Sequence, residues 1–162
     1  MAKDKGKYRP GAAILLLNHR REAFVAQRID NPGPAWQMPQ GGLDKGEDPR
    51  DGALRELEEE TSIPPDQVAI LAEMPDWVQY DLPRELVGNL WKGKYLGQKQ
   101  RWFCGAFLGS DSVVNLETEH PEFSAWKWVP VQQTVELIVP FKRDLYAQII
   151  EHFRPFWMDR PL

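Results

Sequence analysis

Two apolar runs near the start of the chain, residues 11–17 and 23–28, flank the polar stretch Asn18-His19-Arg20-Arg21-Glu22. Short apolar runs bounded by a polar turn predict a pair of β-strands. Residues 31–35, with Pro32, Gly33 and Pro34, read as a loop, and 36–39 as the approach to a glycine-rich turn. Pro64-Pro65-Asp66 is a hard stop, after which 68–74 and 77–81 predict strands. Residues 82–98 have no clear period and several glycines, which predicts a long loop or insertion. Residues 101–108 predict a buried strand and 125–129 another. Leu145, Ile149, Ile150 and Phe153 then recur at helical spacing within 141–153, just after Pro140. Mixed strands with two principal helices predict an α/β class, a sheet covered on both faces.

The first of those helices is the informative one. Asp48 is a good N-cap, Pro49 suits the first helical position, and Asp51 stands three residues past the cap, as in a capping box. Residues 52–61 contain no proline, so roughly three turns are expected. At ~100° per residue Glu56, Glu59 and Glu60 share one face, while Leu54, Leu57 and Thr61 form a separate stripe suited to the core. Gly52 falls on the carboxylate side, where a missing side chain would let a ligand approach closely. Glu58 points away, as ordinary surface. Three carboxylates at these spacings repel one another: at ~6 Å each pair costs roughly 3 kcal/mol with an effective dielectric of 20, and under 1 kcal/mol in water. Either water solvates them or cations hold them together, and Mg²⁺ takes hard oxygen ligands of this kind. Taken alone, such a run is more often a solvated acidic face. Gly41, Gly42 and Gly46 permit a tight loop beside the helix, with Glu47 and Arg55 placed to lock it.

From Gly41 to Ile63 the chain resembles the Nudix box, G-x5-E-x7-R-E-U-x-E-E-x-G-U with U aliphatic. Gly41, Glu47, Arg55, Glu56, Leu57, Glu59, Glu60 and Ile63 match in place. Ser62 stands where the family has glycine, at a position expected to end the helix in a left-handed turn; a non-glycine residue there costs ~1–2 kcal/mol. The resemblance implies the Nudix fold, an α/β/α sandwich with a mixed β-sheet, and hydrolysis of a phosphoanhydride.

Composition narrows the remainder. A chain of 162 residues fits one domain over 1–162, with about seven residues at the start and eight at the end expected to be flexible. The single cysteine, Cys104, excludes an intrachain disulfide and any multi-cysteine zinc site, and its apolar setting predicts an inert core thiol. The longest apolar run near the N-terminus, 12–17, is too short for a signal sequence or a membrane span, so the cytoplasm is the expected compartment. A net charge of −4 argues against a generic nucleic-acid binder. Its distribution says more. Residues 84–101 carry Arg84, Lys92, Lys94, Lys99 and Arg101 against Glu85, and residues 1–9 carry Lys3, Lys5, Lys7 and Arg9 against Asp4. A basic surface facing an acidic metal site suits a long polyanion.

The resemblance reaches beyond the box, from Tyr8 to about Phe153, through KYRPGAAILL, WQMPQGG, GQKQRWF, Pro121-Glu122-Phe123 and PFKRDLY. It points to the subgroup of the family that takes pyrophosphate from 5′-triphosphorylated RNA and so promotes mRNA decay. The same subgroup includes asymmetric hydrolases of diadenosine tetraphosphate, giving ATP and AMP, which is the alternative. The resemblance implies Glu56, Glu59 and Glu60 as metal ligands, one of them helping to deprotonate the attacking water, with Glu122 as a further ligand or base. It implies two or more Mg²⁺ ions, with Mn²⁺ a substitute, and Arg9, Arg28, Gln98 and Lys142 meeting phosphates or bases while Phe141 stacks on a base. No DNA and no membrane are expected as partners.

Each assignment has a bland rival. Arg9 and Arg28 also fit surface ion pairs, Glu122 a solvated loop carboxylate, Phe141 the core, and Tyr80 a strand face. The tryptophans read as core or sheet packing, with Trp91 in the basic segment the exception, and the three histidines have no shared spacing that would assign them catalysis. Two other readings of the box are a catalytically silent nucleotide sensor, which would be expected to lose box glutamates, and an enzyme of the free nucleotide pool, which leaves the basic segment unexplained.

Overall fold

The first apolar run forms the central strand β1 (Tyr8–Leu17), in a computed structural model that describes residues 8–31, 33, 35–86 and 95–158. Side chains alternate across a strand. Ala12, Ile14 and Leu16 therefore enter one hydrophobic core while Ala13, Leu15 and Leu17 enter a second on the opposite face. A strand buried on both sides reads as a continuous apolar run, which is why 11–17 showed no alternation.

The strands are β1, β2 (Glu22–Arg28), β3 (Trp36–Gln37), β4 (Gln40–Gly42), β5 (Val68–Glu73), β6 (Val78–Asp81), β7 (Gly97–Phe107) and β8 (Phe123–Pro130). They form one mixed sheet: β1 runs parallel to β7 from Tyr8↔Gly97 to Leu17↔Ala106, and the other pairings are antiparallel. The other edge of β1 is shared. Its end pairs with β2 at Leu17↔Ala23, whereas its beginning pairs with β4 from Gly11↔Gly42 to Ala13↔Gln40. The sheet parts between β2 and β4, and that is where the site lies.

Helices cover both faces. On one, α1 (Pro49–Thr61) buries Ala53 and Leu57 against the core that holds Ile14 and Phe103. On the other, α3 (Arg143–His152) buries Leu145, Tyr146, Ile149 and Ile150 with Leu15, Val25 and Trp102. The Tyr146 hydroxyl accepts from the Met38 backbone N–H at 2.9 Å, tying α3 to the strand lead-in. Two short helices, α2 (Thr134–Leu137) and α4 (Arg154–Trp157), flank it.

Several expectations are corrected here. Gly97 and Gln98, expected in a loop over 82–98, instead pair in β7 with Asp81 and Tyr80. Residues 87–94, with Trp91, Lys92 and Lys94, lie outside the described residues. The helix expected over 141–153, α3, begins at Arg143 rather than at Phe141; residues 140–142 form a separate 3₁₀ turn. The start of the chain up to residue 7 is outside the described residues, but the expected loose C-terminal stretch is anchored as far as Trp157. That indole is buried and donates to the Ile150 carbonyl at 2.7 Å.

Candidate active site

The helix of the box is capped as its sequence requires. Asp48 accepts from the Asp51 N–H at 3.2 Å, and Pro49 opens the first turn. At the other end Ser62 takes the left-handed conformation (φ 70°, ψ 6°). Its strain is offset in part by its own side chain, which donates to the Asn115 carbonyl at 2.8 Å, an option a glycine lacks.

The expected lock is present. Arg55 donates to both carboxylate oxygens of Glu47 (2.8 and 2.9 Å) and to the Gly42 carbonyl (3.0 Å), while Glu47 also accepts from the Asp44 N–H. A planar guanidinium bridging a carboxylate and a carbonyl fixes loop to helix in one geometry. Gly46 turns the loop at φ 76°. Gly41 is required by close approach: a Cβ there would overlap the Glu56 carboxylate. Gly52 has a different role from the expected one. A Cβ on it would strike Leu43 and Glu47, so its bareness seats the loop and does not admit a ligand.

The three box carboxylates grade from buried to exposed. Glu60 is 4% exposed, and neither of its carboxyl oxygens has a hydrogen-bond partner. Burial, then the adjacent Glu122 carboxylate and Glu56, hold its pKa well above the ordinary range. Glu56 is pushed up to about 6 by burial, against the pull of Arg55. Glu59 stands at the surface. Arg55 Nη1 donates to both Glu56 (2.9 Å) and Glu59 (3.1 Å). Among the described residues no three acidic, imidazole or thiol side chains converge on one point. The donor set nevertheless fits a hard divalent cation. A buried carboxylate with two orphaned oxygens beside further carboxylates has exchanged water for nothing unless a cation completes it.

Two cavities meet at these residues. One, of about 560 Å³, is lined by Glu56, Glu58, Glu59, Glu60, Ser62 and the loop of Thr118, Glu119, His120 and Glu122. The other, of about 460 Å³, opens between the parted strands and takes Arg9 from β1, Arg28 from β2 and Phe141 and Lys142 from the 3₁₀ turn. Glu56 and Glu122 belong to both. The 3₁₀ turn that delays α3 is what carries Phe141 and Lys142 there. Lys142 Nζ lies 5.0 Å over the Tyr80 ring, itself 6.0 Å from Phe141. Burial, and secondarily the charge of Arg28, lower Lys142 to about 8. Arg28 is bidentate to Asp30 at 2.8 Å, and the Arg9 guanidinium lies over Gly42, where a Cβ would overlap it. Tyr80, read as a strand residue, is both that and cavity wall.

Gln98 does not line the cavity. It is 1% exposed, behind Tyr80 and Gln40, and its carbonyl accepts from Gln100 Nε2 at 2.6 Å, which also donates to Gln40. The side-chain alternation of β7 sends it inward. The expected basic surface also divides: Lys99 and Arg101 lie over the exposed Trp77 ring at 4.8 and 5.7 Å, with Arg101 bonded to Glu73, and neither lines the cavity. Glu58, read as pointing away, lines the acidic pocket, and Asp30, Asn31, Gln37, Thr118, Glu119 and His120 were missed as lining residues. Only Glu119 and His120, close in sequence to Glu122, carried any signal.

The NUDIX domain profile matches residues 7–149. The chain belongs to the Nudix family. Nudix proteins generally use divalent metal ions, in keeping with the orphaned Glu60 carboxylate. Among relatives, the RNA pyrophosphohydrolase of Roseobacter denitrificans is 56% identical over 146 residues, 90% of this chain and 91% of that one. That of Cereibacter sphaeroides is 54% identical over 148 residues, covering 91% of each. That of Rhodospirillum rubrum is 51% identical, covering 95% and 92%. The Nudix fold itself recurs in the C. elegans Ap4A hydrolase (TM-score 0.66, 21% identity, 91% of this chain and 99% of that one). It recurs again in the E. coli dihydroneopterin triphosphate pyrophosphohydrolase (TM-score 0.67, 20% identity, 90% and 98%).

Proposed function

We propose that residues 1–162 act as one Nudix domain that hydrolyses the 5′-triphosphate end of RNA in the cytoplasm, giving pyrophosphate and 5′-monophosphate RNA and so promoting mRNA decay. The observation that carries this reading is the junction at Glu56 and Glu122 of an acidic pocket with a cationic, aromatic cavity. Close relatives that bear the name RNA pyrophosphohydrolase across nearly the whole chain support it. DNA and membranes are not among the proposed partners.

In this reading the phosphates enter against Arg9, Arg28 and Lys142, whose charges offset theirs, and the leading base lies on Phe141. Glu56, Glu59, Glu60 and Glu122 would hold two or more Mg²⁺ ions, or Mn²⁺ in their place. When bound, such ions neutralise phosphate charge and make water easier to deprotonate. Water attacks an anhydride phosphorus in line; one P–O bond forms, the anhydride P–O bond breaks, and a box carboxylate takes the proton. Gln98 accepts from the Tyr80 hydroxyl at 3.5 Å and from Gln100, which in turn donates to Gln40, and Gln98 has no direct contact with substrate in this proposal.

The test is a paired assay with Mg²⁺ present and absent, on a 5′-triphosphorylated oligoribonucleotide and on diadenosine tetraphosphate. Mg²⁺-dependent release of pyrophosphate from the RNA is expected. Cleavage of the dinucleotide alone would remove the RNA reading, and no product from either would favour a binding module.

A further inference from the structure

The acidic pocket holds more donors than the proposed reaction uses. Besides the four carboxylates assigned above, it is lined by Glu58, Glu119 and the imidazole of His120, and Arg55 donates to Glu56 and Glu59 at its edge. Carboxylates crowded this closely raise one another's energy. Glu60 lines the same pocket, 4% exposed, with both carboxyl oxygens orphaned. His120 lies on the exposed stretch between Thr118 and Glu122, so its side chain has solvent to turn through.

We infer that His120, with Glu119, forms an additional nitrogen-and-oxygen ligand pair on the outer side of this pocket and gives it a preference for a borderline divalent ion such as Mn²⁺ over Mg²⁺. The chemistry follows from donor type. Mg²⁺ is satisfied by oxygen and keeps much of its water, whereas imidazole nitrogen stabilises first-row transition ions more than it does Mg²⁺. A pocket of carboxylates alone discriminates weakly between the two; one imidazole tips it. His120 shares its pocket with the box glutamates, whereas His19 and His152 line other cavities. The inference rests on the metal-dependent reading above, and its test separates the two.

Titration calorimetry of the whole chain with MnCl₂ and with MgCl₂, in the wild type, His120→Ala and Glu60→Gln, reads the affinities without any turnover. His120→Ala is expected to weaken Mn²⁺ by about tenfold or more and leave Mg²⁺ within about twofold. Electron spin-echo spectra of the Mn²⁺-loaded protein should show coupling to an imidazole nitrogen that His120→Ala abolishes. Equal weakening of both ions, or no nitrogen coupling in the wild type, overturns the inference and leaves the metal reading standing. Uptake of neither ion by the wild type overturns both.

Discussion

The acidic pocket and the basic, aromatic cavity meet at Glu56 and Glu122 yet are assembled in opposite ways. The acidic half comes chiefly from one helix, where Glu56, Glu59 and Glu60 share a face by the period of the backbone, and from one loop. The other half draws Arg9, Arg28, Tyr80 and Lys142 from three strands and a 3₁₀ turn spread over most of the chain. The electrostatics are opposite too. Burial raises Glu56 and Glu60 on one side and lowers Lys142 on the other, so each half holds a charge it would shed, and a metal–polyphosphate ligand relieves both at once. The acidic half is therefore expected to govern turnover, and the cavity to govern affinity.

Replacing Glu60 by Gln is the strongest test of that division. Turnover on triphosphorylated RNA should fall by about two to four orders of magnitude, with the melting transition retained. Loss of the folded state would assign Glu60 to architecture instead.

Next, Phe141→Ala should raise KM for RNA by roughly 5–150-fold, the equivalent of ~1–3 kcal/mol of stacking, with a smaller change in kcat. A fall in kcat at constant KM would merge the two halves.

Lys142→Met makes the affinity side visible in stability. An amine whose pKa drops from 10.5 to about 8 on folding destabilises the fold wherever it is protonated in both states, and that cost fades as pH rises from about 8 to 10.5. The variant should thus be more stable than the wild type at pH 7, by up to ~3 kcal/mol. The advantage should diminish on the alkaline side, and the variant should bind RNA more weakly. Denaturant unfolding at pH 7 and 10 measures it.

The smallest effect belongs to the acidic half without metal. Glu56 rises from 4.5 to about 6, so the folded state binds more protons between those values. Stability from this group is greatest below about 4.5 and is lost as pH climbs through 6, a change of about 2 kcal/mol, with Glu60 acting in the same direction. Chelator-treated protein should melt lower at pH 7.5 than Glu56 and Glu60 would allow at pH 5, and added Mg²⁺ should raise the melting point at pH 7.5. A melting point that ignores Mg²⁺ at pH 7.5 would argue against cation binding in this pocket.

Legibility along the chain follows the same divide. The cap at Asp48, the Arg55–Glu47 lock and the left-handed Ser62 were readable because each depends on neighbours within one or two turns. The strands of 11–17 and 23–28 were readable from their apolar runs, though their ends were not, since pairing partners decide where a strand stops. Gly52 was misread because Leu43, nine residues away, fills the space it leaves. Gln98 was misplaced because the alternation of β7, once Gly97 pairs with Tyr8, turns it inward. Lys99 and Arg101 were expected to serve the substrate surface, and the same pairing puts them over Trp77.

By itself the sequence determined the helix that gathers three carboxylates, the loop that locks it and the family these imply, because those depend on local backbone period and short-range hydrogen bonds. Only the tertiary structure decided that Arg28, Phe141 and Lys142 face Glu56 across one cavity, and that Glu60 is buried without a partner. Both follow from the parting of β2 and β4 along one edge of β1, a long-range strand pairing to which no local pattern of residues is sensitive.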